Sequence, residues 1–168
     1  MVKYHGTEKI MMEKTYYSYE TAFGELIIES DGNSITSIKT GNRKTSAGKG
    51  VADHLTDKAA KQLDEYFAGK RACFDVPLNP HGTAFQRVVW QALCDIPYGE
   101  TRSYKQIAQI IGNPNACRAV GMANNKNPVW IMIPCHRVIG ANGNLTGYGG
   151  GLEMKQKLLE LEKKMRSK

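Results

Sequence analysis

Short segments of alternating or β-branched residues predict a small sheet at the start of the chain. They cover residues 16–21, 25–30 and 34–40. Asp31-Gly32-Asn33, between the last two segments, is typical of a hairpin turn. Residues 41–50 are rich in Gly, Ser, Thr and Lys and lack a hydrophobic period, so they predict a flexible connection.

A helix is predicted next, with Thr56 as its N-cap and Gly69 as its terminator. Its predicted core face consists of Ala59, Leu63, Tyr66 and Phe67. The first part of the chain is therefore a small α+β unit, and it contains no constellation that suggests chemistry.

Residues 77–82, with two prolines and a glycine, predict a boundary between domains at residues 1–80 and 81–168. Beyond it, Thr83 and Gln86 have capping-box spacing and begin a helix. The predicted core face of this helix consists of Phe85, Val88, Val89 and Ala92.

Two short helices joined by a glycine turn predict a helix-turn-helix. Ser103 and Gln106 repeat the capping-box spacing at the first helix. Its residues Tyr104, Ile107, Ala108 and Ile111 recur at helical spacing. Gly112 ends this helix, while Asn113 is predicted to cap the second and Pro114 to be its first residue.

The second of these helices has two unlike faces when it is projected at 100° per residue. The inward arc consists of Ala116, Ala119, Val120 and Ala123. The outward arc has small or amide residues and one arginine: Cys117, Arg118, Gly121, Asn124 and Asn125. A helix that faces only water would be expected to carry Lys and Glu, so these residues favour close approach to a nucleic-acid groove. A plain solvent face of mixed polarity is the alternative.

A C-terminal helix follows Gly149-Gly150-Gly151, with an apolar stripe of Met154, Leu158, Leu161 and Met165. Glu162 projects into this stripe, where an unpaired carboxylate would be costly. It therefore needs a partner, and a histidine beside a cysteine is a candidate. The alternative is a partly exposed glutamate bound to a backbone N–H or a lysine.

Length and composition allow one or two globular domains, since 168 residues with 41% hydrophobic content can form an ordinary core. The sequence has neither an apolar run of membrane-spanning length nor a cationic and apolar leader, so we expect a soluble, cytoplasmic protein. The four scattered cysteines, Cys73, Cys94, Cys117 and Cys135, are expected to be reduced thiols.

The net charge of +7 lies entirely in the second half of the chain. Residues 1–81 contain 11 Lys or Arg and 11 Asp or Glu, whereas residues 82–168 contain 12 and 5. Such an excess favours a polyanionic partner, because phosphate neutralisation drives non-specific binding to nucleic acids. A basic surface that serves only solubility is the alternative.

An apolar, strand-like stretch ends in Pro134-Cys135-His136-Arg137. A free thiol is only a few per cent thiolate at neutral pH, so a nucleophilic cysteine needs a nearby base or positive charge, and both follow here. Pro134 would end the strand and help to hold the cysteine in one orientation. A buried, inert cysteine with a bystander histidine is the alternative.

The segment from Asn127-Pro128-Val129 to Ile133-Pro134-Cys135-His136-Arg137-Val138 resembles the active site of the O6-alkylguanine-DNA alkyltransferases. The resemblance covers nearly the whole chain and is most specific over residues 83–162. It implies an α+β fold: a ribonuclease-H-like N-terminal domain followed by a winged helix-turn-helix domain. It also implies single-turnover transfer of an alkyl group from O6 of guanine, or O4 of thymine, to Cys135, with no cofactor.

The resemblance also implies roles for individual residues. Cys135, His136 and Glu162 match the family's relay, in which the histidine acts through a water and the sulfur is left as thiolate. Arg118 matches the arginine that fills the space of the flipped nucleotide, Tyr104 the tyrosine that donates a hydrogen bond to guanine, and Asn127 the asparagine that braces the turn. Contacts to substrate or DNA are expected at Ala119, Gly121, Asn124, Arg137, Tyr148 and Gly149. Each of the two tyrosines could instead be a core aromatic.

Two departures from the family pattern, Lys126 and Trp130, leave the width of the alkyl pocket and the preferred alkyl group open. The metal-binding Cys/His set of some relatives has no counterpart in residues 1–81, so we expect no zinc. We expect a monomer whose partner is double-stranded DNA containing O6-alkylguanine, without membrane association.

Two other functions would use some of the same residues. A cysteine hydrolase would need a Cys-His pair with an acidic residue, but its chemistry explains neither the helix-turn-helix nor the one-sided charge. A non-catalytic lesion-binding protein or DNA-binding regulator is the nearer alternative. Since such alkyltransferase-like relatives replace the nucleophile and Cys135 is present, repair is preferred.

Overall fold

The computed structural model describes residues 15–41 and 50–167. Its N-terminal sheet is an antiparallel meander of β1 (Thr15–Thr21), β2 (Gly24–Ser30) and β3 (Ile35–Thr40). The strands and the hairpin were predicted to within two residues. Leu26 and Ile28 of β2 are fully buried, as expected for one face of a pleated strand. The connection predicted over residues 41–50 lies largely outside the described residues.

Helix α1 (His54–Phe67) packs on this sheet through the predicted core face. Its N-cap is Asp53 rather than Thr56, so the prediction of the cap was wrong by one turn. The Asp53 side chain accepts from the backbone N–H of Thr56, and Thr56 Oγ1 accepts from the N–H of Asp53. Both residues of a capping box bind a backbone N–H of the other, but the residue that comes first in the chain is the N-cap. Asp53 therefore takes that role, and Thr56 is the third residue of the helix. Gly69 follows the helix with φ +69°, as a terminator requires.

The rest of the described chain is mainly helical. Its elements are α2 (Ala84–Cys94), β4 (Arg102–Ser103), α3 (Tyr104–Ile110), α4 (Cys117–Asn125), β5 (Val138–Ile139) and α5 (Leu152–Arg166). Strands β4 and β5 form a short parallel pair beside the helix-turn-helix. The capping boxes predicted at Thr83 and Ser103 are both present. A small sheet unit followed by a helical unit is the mixed α+β architecture that was expected.

Two predictions in the helical unit were wrong. Helix α4 begins at Cys117, three residues after Pro114, because residues 113–116 form a turn in which Ala116 N–H donates to the carbonyl of Asn113 at 3.0 Å. In α2, Val88 is 51% exposed, whereas Trp90 is buried. The Trp90 indole N–H donates to the Ala123 carbonyl at 2.8 Å and so ties α2 to α4.

The edge strand β3 joins the two units. On the side away from β2, Ile35 exchanges backbone hydrogen bonds with the Pro77 carbonyl (2.8 Å) and the Asn79 N–H (2.9 Å). Further along, Ile38 does the same with the Pro128 carbonyl (2.8 Å) and the Trp130 N–H (3.1 Å). Pairing satisfies backbone groups that an open sheet edge would leave free. The segment leading to Cys135 is therefore anchored on the N-terminal sheet.

Within the described residues, no helix is long and apolar enough to cross a membrane.

Replacing Thr83 by alanine should lower the free energy of unfolding by about 1 kcal/mol, because the first turn of α2 loses a side-chain cap. Urea denaturation at constant temperature measures the change. Thr101→Ala, at an exposed position outside any helix, is the matched control and should change stability by less than about 0.5 kcal/mol. Equal effects of the two substitutions would contradict the capping role.

Candidate active site

The segment before Cys135 is a series of tight turns rather than the strand that was predicted. Met132 N–H donates to the Trp130 carbonyl at 2.8 Å, which makes a γ-turn centred on Ile131 with φ +72°. This is the rarer, strained kind of γ-turn, and a β-branched residue there costs about 1–3 kcal/mol. A second turn of the commoner kind is centred on Pro134, with Cys135 N–H donating to the Ile133 carbonyl at 2.8 Å. The two turns fix the path of the backbone into the cysteine.

Asn127 holds these turns together from inside. Its Nδ2 donates to the Ile133 carbonyl at 2.9 Å, and its Oδ1 accepts from Val129 N–H at 3.0 Å. The side chain is buried, so both hydrogen bonds are shielded from water. The predicted bracing position therefore has the contacts that bracing requires.

Cys135 begins a single 3₁₀ turn, Cys135–Arg137, and is 3% exposed. Burial raises the pKa of its thiol to about 11, and a hydrogen bond with Asn127 and the charge of Lys155 only partly oppose this rise. The resting sulfur is therefore a neutral thiol at neutral pH, in contrast to the thiolate that the resemblance implies. A reaction at this sulfur needs a base that accepts its proton.

His136 and Glu162 meet in the interior, as the position of Glu162 in the apolar stripe predicted. His136 Nε2 lies 2.8 Å from Glu162 Oε1, and both side chains are 0% exposed. Among the described residues, His136 Nδ1 has no hydrogen-bond partner. Because an ionised carboxylate only accepts, Nε2 carries the ring proton and Nδ1 is left as the acceptor.

The ionisation states of this pair follow from their surroundings. Burial alone would raise the pKa of Glu162. Hydrogen bonds from His136 and Arg137, the charge of Arg137, and that of His136 when its ring is protonated outweigh this effect and lower the pKa to about 2. Burial lowers the pKa of His136 below its usual 6.5, against the opposing pull of Glu162. At neutral pH the site therefore contains a carboxylate and a neutral imidazole. A neutral imidazole is the form that can take a proton.

Arg137 belongs to this interior network, where its side chain is buried. Its expected contact with substrate or DNA stays a prediction. Its Nε and Nη2 donate to Glu162 at 2.9 Å each, and its Nη1 donates to the Ile96 carbonyl at 2.6 Å. The Tyr98 ring lies 5.6 Å from the guanidinium carbon. Arg137 forms an ion pair with the buried Glu162 carboxylate. This pairing offsets the cost of burying both charges.

The sequence reasoning missed two further donors to Glu162. The Tyr66 hydroxyl, from α1, donates to Oε1 at 2.5 Å, and the Gly99 N–H donates to Oε2 at 3.0 Å. Tyr66 was predicted only as a core aromatic. A buried tyrosine usually needs a partner for its hydroxyl, and this was the available signal.

Lys155 is the other residue that was missed. It is 0% exposed, and its Nζ donates to the carbonyls of Val138 (2.6 Å) and Thr146 (2.8 Å). Burial lowers its pKa to about 8, while the neighbouring Cys135 opposes the change. Lys155 lies seven residues before Glu162 and so on nearly the same face of α5, and this spacing was visible in the sequence.

Tyr148 lies near the cysteine, and the glycines after it pack against a wall formed by Tyr148 and Trp130. Tyr148 is buried, and its pKa is raised well above the usual value by burial and then by Cys135. The Trp130 ring lies 5.8 Å from the Tyr148 ring and against Gly149, where an added Cβ would meet Trp130 Cζ2 at 2.4 Å. Trp130, one of the departures from the family pattern, is therefore part of this wall.

Helix α4 presents a partly different face from the one projected. Arg118 is exposed as predicted and makes no hydrogen bond or ion pair with the described residues, and Ala119, which was projected inward, is exposed beside it. Asn124, which was projected outward, is only 2% exposed, so the prediction of its outward position was wrong. Its Nδ2 donates to the Cys135 carbonyl at 3.3 Å. The residues of α4 that pack against the core are Val120, Ala123 and Asn124.

Tyr104, at the start of α3, lies between α4 and the loop before α5. Its hydroxyl donates to the Thr146 carbonyl at 3.2 Å, and its ring is close enough to Gly121 that an added Cβ would touch it at 3.7 Å. Tyr104 is half-buried rather than a core residue. It is therefore close both to the exposed face of α4 and to the loop that contains Tyr148.

The other three cysteines, Cys73, Cys94 and Cys117, are exposed and free. Among residues 15–41 and 50–167, no three His, Cys, Asp or Glu side chains are grouped so that they could bind a metal ion.

Comparison with known proteins agrees with this architecture. Residues 84–164 match the family described as "6-O-methylguanine DNA methyltransferase, DNA binding domain", and residues 14–80 match "6-O-methylguanine DNA methyltransferase, ribonuclease-like domain". The chain is 49% identical over 152 residues to a methylated-DNA–protein-cysteine methyltransferase of Methanosarcina acetivorans, covering 88% of this chain and 97% of the relative. It is 48% identical over 149 residues to that of Mycobacterium leprae, covering 87% and 90%.

The solved structures that resemble the fold include Mycobacterium tuberculosis OGT in complex with DNA. That structure matches with a TM-score of 0.82 and 47% identity, covering 89% of this chain and 93% of that one. The M. tuberculosis O6-methylguanine methyltransferase matches with a TM-score of 0.81 and 46% identity, covering 90% and 94%. With both family domains matched in order and relatives aligned over nearly their full length, the chain belongs to the 6-O-methylguanine DNA methyltransferase family.

Proposed function

We propose that this protein repairs alkylated DNA directly, by moving a methyl group from O6 of guanine in double-stranded DNA to the sulfur of Cys135. The observation that carries the proposal is the buried Cys135 beside a neutral His136 whose tautomer is set by an ionised Glu162. Relatives about 48% identical over most of the chain are methylated-DNA–protein-cysteine methyltransferases, which supports the same reaction here.

The reaction is a displacement at carbon. Cys135 Sγ forms a bond to the methyl carbon, and the bond between that carbon and O6 breaks, with its electron pair going to the purine. The thiol proton passes through a water to Nδ1 of His136, the ring nitrogen that remains an acceptor. The purine takes one proton to become guanine, which balances the proton that the imidazole has accepted. The imidazolium that forms is stabilised by Glu162. No cofactor takes part, and the thioether product is not a leaving group, so each molecule reacts once.

The need for a proton acceptor follows from the burial of the thiol. Burial has one advantage and one disadvantage for this thiol. It protects the sulfur from oxidants in the solvent, but a thiol with a pKa near 11 is a poor nucleophile at neutral pH unless a base takes its proton. Proton transfer to His136 during the reaction resolves this conflict. Lys155 and Asn127 favour the developing thiolate, since both lower the pKa of Cys135.

DNA binding is assigned to helix α4 and its neighbours. A reactive sulfur cannot reach an alkyl carbon in a stacked base pair, so the nucleotide has to leave the duplex. The small exposed residue Ala119 and the half-buried Gly121 let the helix approach a narrow groove, and the free guanidinium of Arg118 can fill the space of the extruded nucleotide. The Tyr104 hydroxyl, close to both α4 and the loop of Tyr148, is suited to donate to the purine as it departs. The protein is proposed to do this as a monomer.

Incubation with DNA containing O6-methylguanine should add one methyl group to Cys135 and to no other cysteine. Intact mass followed by peptide mapping measures this. Cys73, Cys94 and Cys117 have no adjacent histidine and serve as internal controls. Cys135→Ala should bind the same DNA without accepting a methyl group. Methyl transfer by that variant, or repeated turnover by the parent, would exclude Cys135 as the acceptor.

Glu162→Gln should slow transfer by roughly 10²-fold near pH 7 and much less near pH 11, where about half of the thiol ionises without help. The rate of transfer as a function of pH is the measurement. Because the variant leaves Arg137 buried without its partner, it should also lose about 3–5 kcal/mol of stability. Rates are therefore compared at a temperature where circular dichroism shows the variant to be folded. An equal loss of rate at every pH would mean that Glu162 is purely structural.

Arg118→Ala should slow repair of duplex DNA by roughly tenfold or more, because extrusion of a base costs a few kcal/mol, and should leave the reaction with free O6-benzylguanine nearly unchanged. Lys105→Ala is the matched control, since it removes one exposed positive charge from the neighbouring helix α3. It should weaken DNA binding modestly and leave the ratio of the two rates unchanged. Equal slowing of both reactions by Arg118→Ala would place Arg118 in the active-site scaffold.

A further inference from the structure

We propose that Tyr66 is a positioning residue for the proton relay: its hydroxyl holds the Glu162 carboxylate ionised and oriented, and so keeps His136 Nδ1 available as the proton acceptor. The effect of Tyr66 on alkyl transfer rests on the proposed function. Its effect on His136 depends only on contacts within this chain. It gives the N-terminal α+β unit, which showed no chemistry in the sequence, a part in the reaction.

The contacts place the hydroxyl at the junction of the relay. It donates to Glu162 Oε1 at 2.5 Å and lies 3.4 Å from His136 Nε2. The same oxygen of Glu162 is the one that lies 2.8 Å from Nε2. Tyr66 lies 96 residues from Glu162 and 70 from His136 in the sequence, so only the tertiary structure brings the three side chains together.

The phenol can act here only as a donor to the carboxylate. Burial, and then the charge of Glu162, raise the pKa of Tyr66 far above its usual value, so the hydroxyl stays protonated at every pH at which the protein works. A protonated phenol beside an ionised carboxylate donates to it. Glu162 Oε1 is thereby kept as an acceptor toward His136, and the proton of the imidazole is kept on Nε2.

The ring of Tyr66 is held by aromatic neighbours, so the hydroxyl has little freedom to move away. Phe67, Phe74 and Tyr98 surround it with ring centroids at 5.7, 5.4 and 5.9 Å. Tyr66 is 0% exposed, and the neighbouring Tyr98 ring also faces the Arg137 guanidinium. The position of the hydroxyl is therefore determined by the packing of α1 and not by the relay itself.

The hydroxyl has a distinct task from that of Arg137. Both Arg137 and Tyr66 donate to Oε1, the oxygen of Glu162 that His136 contacts. Arg137 balances the charge of the carboxylate, whereas Tyr66 is a neutral donor whose removal leaves that charge balance in place. Without the hydroxyl, that oxygen would hold a proton on His136 more strongly, and the carboxylate would itself be easier to protonate. The pKa values of His136 and Glu162 would both rise. When the pH is lowered, the relay would therefore fail at a higher pH than in the parent protein. The other ionisable groups that act on these side chains are Tyr98, Arg137 and Lys155.

The test compares Tyr66→Phe, which keeps the ring and removes the hydroxyl, with Tyr19→Phe. Tyr19 donates its hydroxyl to Thr56 and Asp57 at the other end of α1, so its removal perturbs the same helix without touching the relay. Two quantities are measured. The first is the pH at which the His136 ring becomes protonated, by ¹⁵N NMR of labelled histidine. The second is the rate of alkyl transfer to the protein from free O6-benzylguanine, from pH 9 down through the pH at which His136 becomes protonated.

Tyr66→Phe should raise the protonation pH of His136 by about half to one unit and slow transfer about 3- to 10-fold at pH values just below that protonation pH, with less than about twofold slowing well above it. Tyr19→Phe should follow the parent protein in both measurements. If Tyr66→Phe lowers the melting temperature but leaves the His136 titration and the shape of the rate profile unchanged, Tyr66 only fills the core and the proposal is overturned.

A second variant covers the case in which Tyr66→Phe does not fold. Replacing Tyr66 alone by 3-fluorotyrosine keeps the hydroxyl and makes it a stronger donor, so the protonation pH of His136 should move down instead of up; an unchanged or higher value would overturn the proposal. The NMR titration requires no alkyl transfer. A parent protein that accepts no alkyl group would therefore refute the proposed function, while the titration would still decide the role of Tyr66.

Discussion

The buried carboxylate of Glu162 is the group on which the arrangement of the active site depends. An isolated carboxylate in the protein interior would be prohibitively unfavourable, so its burial requires donors that approach it from several directions. These come from α1 (Tyr66), from the loop before β4 (Gly99) and from the 3₁₀ turn (His136 and Arg137). Segments that are distant in the sequence are thereby required to meet at one point on α5. Displacing any of them would leave part of the charge unsatisfied.

The backbone around the cysteine is constrained by several further contacts. The backbone entering Cys135 passes through two γ-turns, one of them strained at Ile131, and is paired to the edge of β3 through the residues before them. Strain of this kind persists only where the surroundings over-determine the conformation. Here the surroundings are the sheet on one side, Asn127 within the turns and the ion network beyond them. A sulfur fixed in this way is oriented before any substrate arrives, which lowers the entropic cost of reaction.

Burial has opposite consequences for the groups of the relay, and the balance between them defines its resting state. It raises the pKa of Cys135 and lowers that of His136, so both are neutral, while Glu162 stays ionised because its partners outweigh its desolvation. Neutral sulfur and imidazole avoid a second buried ion pair until substrate is present. The adjacent buried Lys155 is held by two carbonyls, so it supplies positive charge near the sulfur without neutralising Glu162.

Local sequence patterns determined the elements of this protein, and long-range packing decided how they work together. Strand alternation, the capping boxes at Thr83 and Ser103, and the stripe of α5 depend on neighbours within a few residues, and they were predicted correctly. The anomaly of Glu162 inside an apolar stripe was also visible, because a buried charge is conspicuous in a periodic pattern. The start of α4, the burial of Asn124 and Arg137, and the turns at Ile131 depend on which surfaces meet in three dimensions. Tyr66 makes the limit clearest: nothing near it in the chain distinguishes a core tyrosine from one that donates to a carboxylate 96 residues away, since only the folded structure brings the two together.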